Sequence, residues 1–324
     1  MLVENINLDF IRQAASAIEE IACRTPLKKS INLSQRLQKN VYLKMETMQD
    51  TGAFKLRGAA NVIMHLSEKE KASGVVTAST GNHGRAVAYV ANALGIKAIV
   101  CMSSLVPVNK IAAIEQLGAQ VVIYGDNQDL ATEKALQIAQ QQQMRFISPF
   151  DDPYVIAGQG TIALEILQQR PEIDTIITQL SGGGLASGIA IAAKALRPDI
   201  KIIGVSVDHG AAMYESIKAG KIVNVLEQAS IADALPGPIP ADNRYTFDIC
   251  RRLIDDIVLV SEQQIKDAMC YSLKQEKLVL EGAGAATIAM LLQRSPVKIG
   301  DNIAVICSGD NVDMKQLLNI CDSL

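Results

Sequence analysis

The residue on which chemistry could be built is a lysine between a phenylalanine and a glycine-containing turn, in Thr51-Gly-Ala-Phe54-Lys55-Leu-Arg-Gly58. Most lysines sit on solvated faces because a buried ammonium is costly. One held in a packed setting has a lowered pKa and can serve as nucleophile or base near neutral pH. Three further stretches stand where apolar runs end: Ser79-Thr80-Gly81-Asn82-His83-Gly84, Ser181-Gly182-Gly183-Gly184-Leu185 and Cys307-Ser308-Gly-Asp310-Asn311. Three glycines in isolation read as a flexible turn. With a strand before them and an Ala-rich helix after, they read as an anion cup, since glycine admits close backbone approach and free N–H groups at a helix start attract a dianion. A nicotinamide fingerprint is excluded there, because G-x-G-x-x-G is missing and no acidic residue takes the ribose-binding place. His83 reads equally well as a packing or capping residue and as a participant. Together the four stretches read as one cofactor site.

The elements that must position them alternate. Apolar spacing predicts a helix over 8–21, broken by Thr25-Pro26, a strand over 40–45 that delivers the chain to Lys55, and a helix over 54–66. Short apolar strands over 74–78, 98–102, 120–124 and 145–148 are separated by helical stretches. Strands over 175–178, 201–206, 256–260 and 302–307 repeat the scheme. Such alternation predicts an α/β fold of parallel sheets with helices on both faces and right-handed crossovers. Pro236-Gly-Pro-Ile-Pro240 cannot be helix or central strand and marks a loop.

The 324 residues, 49% of them apolar, suffice for two subdomains and a sizeable core. A net charge of -3 with no basic run among aromatics excludes a nucleic-acid role and favours a small solvated substrate. The N-terminus lacks the basic-then-apolar pattern of a signal peptide and no apolar run could span a bilayer, so the expectation is a cytoplasmic protein without a membrane partner. Six cysteines at 23, 101, 250, 270, 307 and 321, with no C-x-x-C pair and no histidine at ligand spacing, read as reduced core residues and leave no metal site.

In order and separation, these stretches resemble the serine/threonine dehydratase and serine racemase family of pyridoxal-phosphate enzymes, the fold type II group. Thr25-Pro-Leu27, Ile156-Ala-Gly-Gln-Gly-Thr161 and Glu281-Gly-Ala-Gly-Ala285 extend the likeness through nearly the whole chain. The resemblance implies two doubly wound parallel-sheet subdomains, the smaller (73–149) inserted in a larger one formed by 1–72 and 150–324, and a homodimer. It implies pyridoxal 5'-phosphate as cofactor. Lys55 would form the Schiff base and remove the alpha proton, and Phe54 would pack against the ring. Ser181, Gly182, Gly183, Gly184 and Leu185 would hold the phosphate, Asn82 the ring hydroxyl and Ser308 the pyridine nitrogen. Ser79, Thr80, Gly81, Asn82 and His83 would bind the substrate carboxylate. The activity implied is elimination of water from a small beta-hydroxy amino acid of the threonine/serine class, giving a 2-keto acid and ammonia.

Several positions depart from the family pattern. Thr80 stands where the racemase branch carries a serine that reprotonates the opposite face, and its methyl adds bulk, which demotes racemisation. Ser206 and Ala212 stand at that branch's cation ligands, so the metal site is expected to be lost, with Asp208 a candidate substitute or an ordinary loop residue. Asp310 replaces a glycine, facing either solvent or substrate. Asp242-Asn-Arg-Tyr-Thr-Phe247 and Thr80-Gly-Asn-His-Gly-Arg85 look like the hydroxyectoine-utilisation dehydratase branch. Dehydration of an N-acetylated hydroxy-diaminobutyrate and a non-catalytic cofactor or amino-acid sensor therefore stand as alternatives.

Overall fold

The computed structural model describes residues 2–79, 81–106, 108–226, 228–293 and 297–323. Its strands are β1 Leu27–Lys29, β2 Asn40–Met45, β3 Val75–Ala78, β4 Ala98–Met102, β5 Gln120–Ile123, β6 Arg145–Phe146, β7 Thr175–Gln179, β8 Lys201–Val207, β9 Asp256–Val260 and β10 Asn302–Cys307. They form a six-stranded sheet in the order β1-β2-β10-β7-β8-β9 and a four-stranded sheet in the order β5-β4-β3-β6. Every pair in the smaller sheet is parallel, as are the pairs from β2 to β9 in the larger. The parallel sheets match the expectation, and an edge strand the sequence does not announce is added to the larger one: β1 runs antiparallel to β2, with Leu27 opposite Lys44. Three residues between Pro26 and the Ser30 cap of the helix Ile31–Leu37 carry too little periodicity to announce a strand.

Both sheets are covered on both faces, as their unbroken apolar strands require. On one face of the larger sheet, helices Glu262–Tyr271 and Gly282–Leu292 bury Ile265, Met269 and Ile288 against Val205, Val258 and Val305. On the other, helices Leu8–Ala17, Pro153–Gln169 and Gly184–Leu196 bury Ile11, Ile162 and Ile189 against Ile176, Ile202 and Ala304. Each such side chain contributes about 1.5–3 kcal/mol relative to exposure. The first helix is shorter than the 8–21 stretch predicts. Asn7 starts it by accepting from Phe10 N (3.1 Å), and it ends at Ile18, where φ/ψ leave the helical region.

The helix Lys55–Met64 crosses the helix Pro153–Gln169 with nothing between their backbones. A Cβ on Gly158 would lie 2.5 Å from Arg57 O, so only glycine permits the approach. Asp152 caps the second helix, its Oδ1 accepting from Tyr154 N (2.8 Å) while Oδ2 takes the Arg145 guanidinium (2.6 Å).

The expectation that all six cysteines are reduced is also corrected. Cys270 and Cys321 form a disulfide between the helices Glu262–Tyr271 and Met314–Asp322, with Cα atoms 5.2 Å apart. A separation of 51 residues gives sequence reading no hint of that pairing. Cys101, Cys250 and Cys307 are free and buried, and Cys23 is free and exposed. Among the described residues no helix is long and apolar enough to cross a membrane.

Candidate active site

The four chemistry-bearing stretches meet at the carboxyl ends of the strands, where open α/β sheets bind ligands. Ser79 follows β3, Ser181 lies two residues beyond β7 and Ser308 follows β10. Lys55 lies past β2 and the short 3-10 turn Glu46–Met48, at the first position of its helix. They line one cleft of about 1620 Å³ between the two sheets, together with Phe54, Gly81, Asn82, His83, Gly182, Gly183, Gly184, Leu185, Glu281 and Asn311. Thr80 lies outside the described residues.

Lys55 is tied to the partner strands on both sides. Phe54 N donates to Ser308 O (3.0 Å), and Ala53 bridges Gly309, so the Lys55 turn hangs from the end of β10. The amine donates to Pro149 O at 2.6 Å and stands 5.3 Å from the Phe54 ring centroid. Burial lowers its pKa to about 8, with the Glu281 charge working in the opposite direction. An amine must be neutral to attack a carbonyl carbon. Capture of pyridoxal phosphate by the apoprotein is therefore expected to accelerate with pH to a plateau, with a midpoint about 8. A stopped-flow rate that keeps climbing past pH 10, as for a solvated lysine, would contradict the buried setting.

Ser181 to Leu185 form a cradle that a side chain would fill. Gly183 has φ +89°, and a Cβ on it would lie 2.9 Å from both Cys250 Sγ and Met213 Cε. Cβ atoms on Gly182 and Gly184 would run into the Phe150 ring and Phe150 O. The helix Gly184–Leu196 has no side-chain cap at Gly183, and its first residues, Gly184 and Leu185, line the cleft. A helix start so placed suits a phosphate dianion. Gly183→Ala adds about 1–3 kcal/mol of backbone strain in the cup. Its expected effect is a loss of cofactor affinity of about tenfold, read by fluorescence titration, with the far-ultraviolet circular dichroism unchanged.

His83 is 3% exposed. Its Nε2 faces Ile147 O at 3.2 Å, an acceptor, so Nε2 carries the proton and Nδ1 is left as a buried acceptor without a partner among the described residues. Burial, then the Lys55 charge, push its pKa down to about 3, so the ring is neutral near pH 7. Asn82 opens the helix Asn82–Ala93 and is held from two sides. Its Nδ2 donates to Glu281 Oε1 and its Oδ1 accepts from Asn311 Nδ2, both at 2.7 Å. Ser79 Oγ accepts from Gly81 N (3.3 Å), shaping the loop, and Ser308 is buried at 2% exposure.

Glu281 and Asn311 were not singled out from the sequence as site residues. Burial, then the Asp233 charge, raise the Glu281 carboxyl to about 7. A signal existed in that Glu281 opens one of the stretches carrying the family likeness, but its side chain's partner lies 199 residues away. Asp310, which could have faced substrate, has its Oδ1 2.5 Å from the Cβ position of Gly52 and donates its N–H to Gly52 O (3.0 Å). It packs over the turn that leads to Lys55, and burial raises its pKa. Arg85 lines the cleft with its Nε buried and, among the described residues, without a hydrogen-bond partner.

A family model described as pyridoxal-phosphate dependent enzyme matches residues 18–309. The chain belongs to that family. It is 40% identical over 312 residues to the L-threonine ammonia-lyase of Thermotoga maritima, an alignment covering 96% of this chain and 77% of the relative. Maize serine racemase superposes with a TM-score of 0.91 at 34% identity, covering 98% of this chain and 97% of that one. The processed form of threonine deaminase isoform 2 from Solanum lycopersicum superposes with a TM-score of 0.90 at 35% identity, covering 98% and 93%. Members of the pyridoxal-phosphate family need an amine for the carbonyl carbon, an anion cup for the phosphate and polar partners for the ring. The Lys55 amine, the uncapped Gly-rich helix start and the Asn82 and Ser308 side chains fit those needs in one cleft.

Proposed function

We propose that this family member is an ammonia-lyase that removes water from L-threonine or L-serine, yielding a 2-keto acid and ammonia. The observation that carries the reading is the buried hydroxyl of Ser308 at the end of β10, in the same hydrogen-bonded unit as Lys55. A hydroxyl at the ring nitrogen, in place of a carboxylate, favours prompt departure of a leaving group over long-lived carbanion chemistry. The activity named for the Thermotoga relative supports the same reaction.

The bound cofactor supplies an electron sink conjugated to the substrate's alpha carbon. The loop of Ser79, Gly81, Asn82 and His83 holds the substrate carboxylate through the Asn82 and His83 N–H groups at the start of the helix Asn82–Ala93, Ser79 N and Gly81 N being spent on Cys101 O (3.2 Å) and Ser79 Oγ (3.3 Å). Thr80 completes that loop in the chain and is assigned to the same carboxylate and to proton transfer. Ser181 to Leu185 would hold the phosphate, Phe54 would pack at the ring, Asn82 would meet the ring oxygen and Ser308 the ring nitrogen. Lys55, whose amine would hold the cofactor, is also the base placed to take the alpha proton, for which a pKa of about 8 is suited. The beta C–O bond then breaks, and the hydroxyl takes a proton and leaves as water. The released enamine tautomerises and adds one water, so the net change is amino acid to keto acid plus ammonia. Residues 73–149 act as an inserted domain beside 1–72 and 150–324, and the protein works in the cytoplasm as a homodimer, the latter checked by sedimentation equilibrium.

The test is keto-acid and ammonia release by the holoenzyme from L-serine, L-threonine, threo-3-hydroxyaspartate and N-acetylated hydroxy-diaminobutyrate. Turnover of serine or threonine is the expected result. Turnover confined to the diaminobutyrate derivative would assign the protein to hydroxyectoine breakdown. Conversion of L- to D-serine without keto acid would make it a racemase, and a spectral shift without product would make it a sensor.

A further inference from the structure

The Asn82 amide is locked in a single polarity by a chain of hydrogen bonds anchored on a backbone carbonyl. Thr51 O only accepts, and it takes Asn311 Nδ2 at 2.8 Å. That orients Asn311, whose same nitrogen donates to Asn82 Oδ1, which in turn forces Asn82 Nδ2 toward Glu281 Oε1. One Nδ2–H is thus consumed by Glu281 and the other is left for the cleft. Glu281 is committed to this contact. It is the N-cap residue of the helix Gly282–Leu292, yet its side chain makes no cap hydrogen bond. Its backbone N donates to Gly309 O (3.1 Å), and Gly309 is so close that a Cβ there would lie 2.6 Å from Oε1.

We propose that Glu281 is a positioning residue of the elimination. Acting through Asn82, it ties the helix Asn82–Ala93, on the smaller sheet, to the larger sheet and makes Asn82 present a hydrogen-bond donor to the ring oxygen of the cofactor. A donor there stabilises the ring oxygen as an anion. The inference rests on the proposed role of Asn82 and adds the residue that sets its polarity.

The holoenzyme variants Glu281→Ala, Glu281→Gln, Asn82→Ala and the Asn82→Ala/Glu281→Ala pair test it through three readouts: the pyridoxal-phosphate dissociation constant, the ratio of the bound cofactor's long- and short-wavelength absorption bands, and kcat and KM separately. Outer residues that orient a ligand-binding group are worth about 10–100-fold. Glu281→Ala is expected to weaken cofactor binding about tenfold, to shift the band ratio and to lower kcat more than it raises KM. Glu281→Gln keeps an acceptor oxygen and is expected to recover the affinity and band ratio to within about threefold. The double variant is expected to be no worse than Asn82→Ala alone, the mark of residues acting as one unit. The inference is overturned if Glu281→Ala retains wild-type affinity and spectrum, if Glu281→Gln is as impaired as Glu281→Ala, or if the two losses add. A wild-type protein that binds no pyridoxal phosphate would sink the underlying functional reading instead.

Discussion

Lys55→Ala is expected to abolish turnover, with kcat/KM falling by at least about 10⁴-fold, because the proposed mechanism gives one side chain both the covalent anchor and the base. In the proposed mechanism Ser79, Asn82, the glycine cup and Ser308 bind and orient, and none offers an amine to the cofactor. The fold should tolerate the change. The amine donates to Pro149 O and stands over the Phe54 ring, and burial, which lowers its pKa, already penalises its charge. Melting within a few degrees of wild type, together with loss of the cofactor's visible absorbance and of keto-acid production, is the expected pattern. Wild-type turnover by this variant would remove Lys55 from the mechanism altogether.

Arg57→Met is expected to have the largest effect on stability, a loss of about 3–5 kcal/mol, because it strands buried carboxylates. Arg57 is 1% exposed. Its Nε meets Glu46 Oε2 at 2.7 Å and its Nη1 meets Glu165 Oε1 at 2.6 Å, while Nη1 also donates to Thr161 Oγ1 at 3.0 Å. Glu46 is fully buried and Lys44, itself fully buried, binds Glu165 and Thr25 O. Burial works to raise the Glu46 carboxyl, and the Arg57 charge and hydrogen bonds more than offset it, so its pKa sits below the usual range. The sign for pH follows: Glu46 stabilises the fold above the unfolded carboxylate pKa, and that contribution is lost as pH falls through the lower folded value. Urea midpoints at pH 7 measure the loss. A midpoint equal to wild type would mean that Glu46 and Glu165 find other partners. The cluster joins β2, the helix Lys55–Met64 and the helix Pro153–Gln169, so it also braces the helix that begins at Lys55.

The contrast between these two residues shows what could be read early. Lys55 was legible because the chemistry demands an amine beside a turn, a glycine cup after a strand and a hydroxyl at a strand end, all written as contiguous motifs. Arg57, two positions on, carried no such mark. Nothing local distinguishes a guanidinium that closes a buried cluster from one that faces solvent. Its partners Glu46, Thr161 and Glu165 are separated from it by 11, 104 and 108 residues.

The sequence by itself determined the α/β class, the strands that carry the site and the residues with chemistry of their own, because strand and helix periods and glycine-rich turns are local properties. Tertiary structure alone decided which polar groups are buried together. It turned Lys44 and Arg57 inward, set Glu281 and Asn311 on the two ends of the Asn82 amide, laid Asp310 over Gly52, joined Cys270 to Cys321 and added β1 at the edge of β2. Those outcomes depend on which distant segments the two sheets and their helices bring within hydrogen-bond distance, and on the burial that then fixes the charge state of each group.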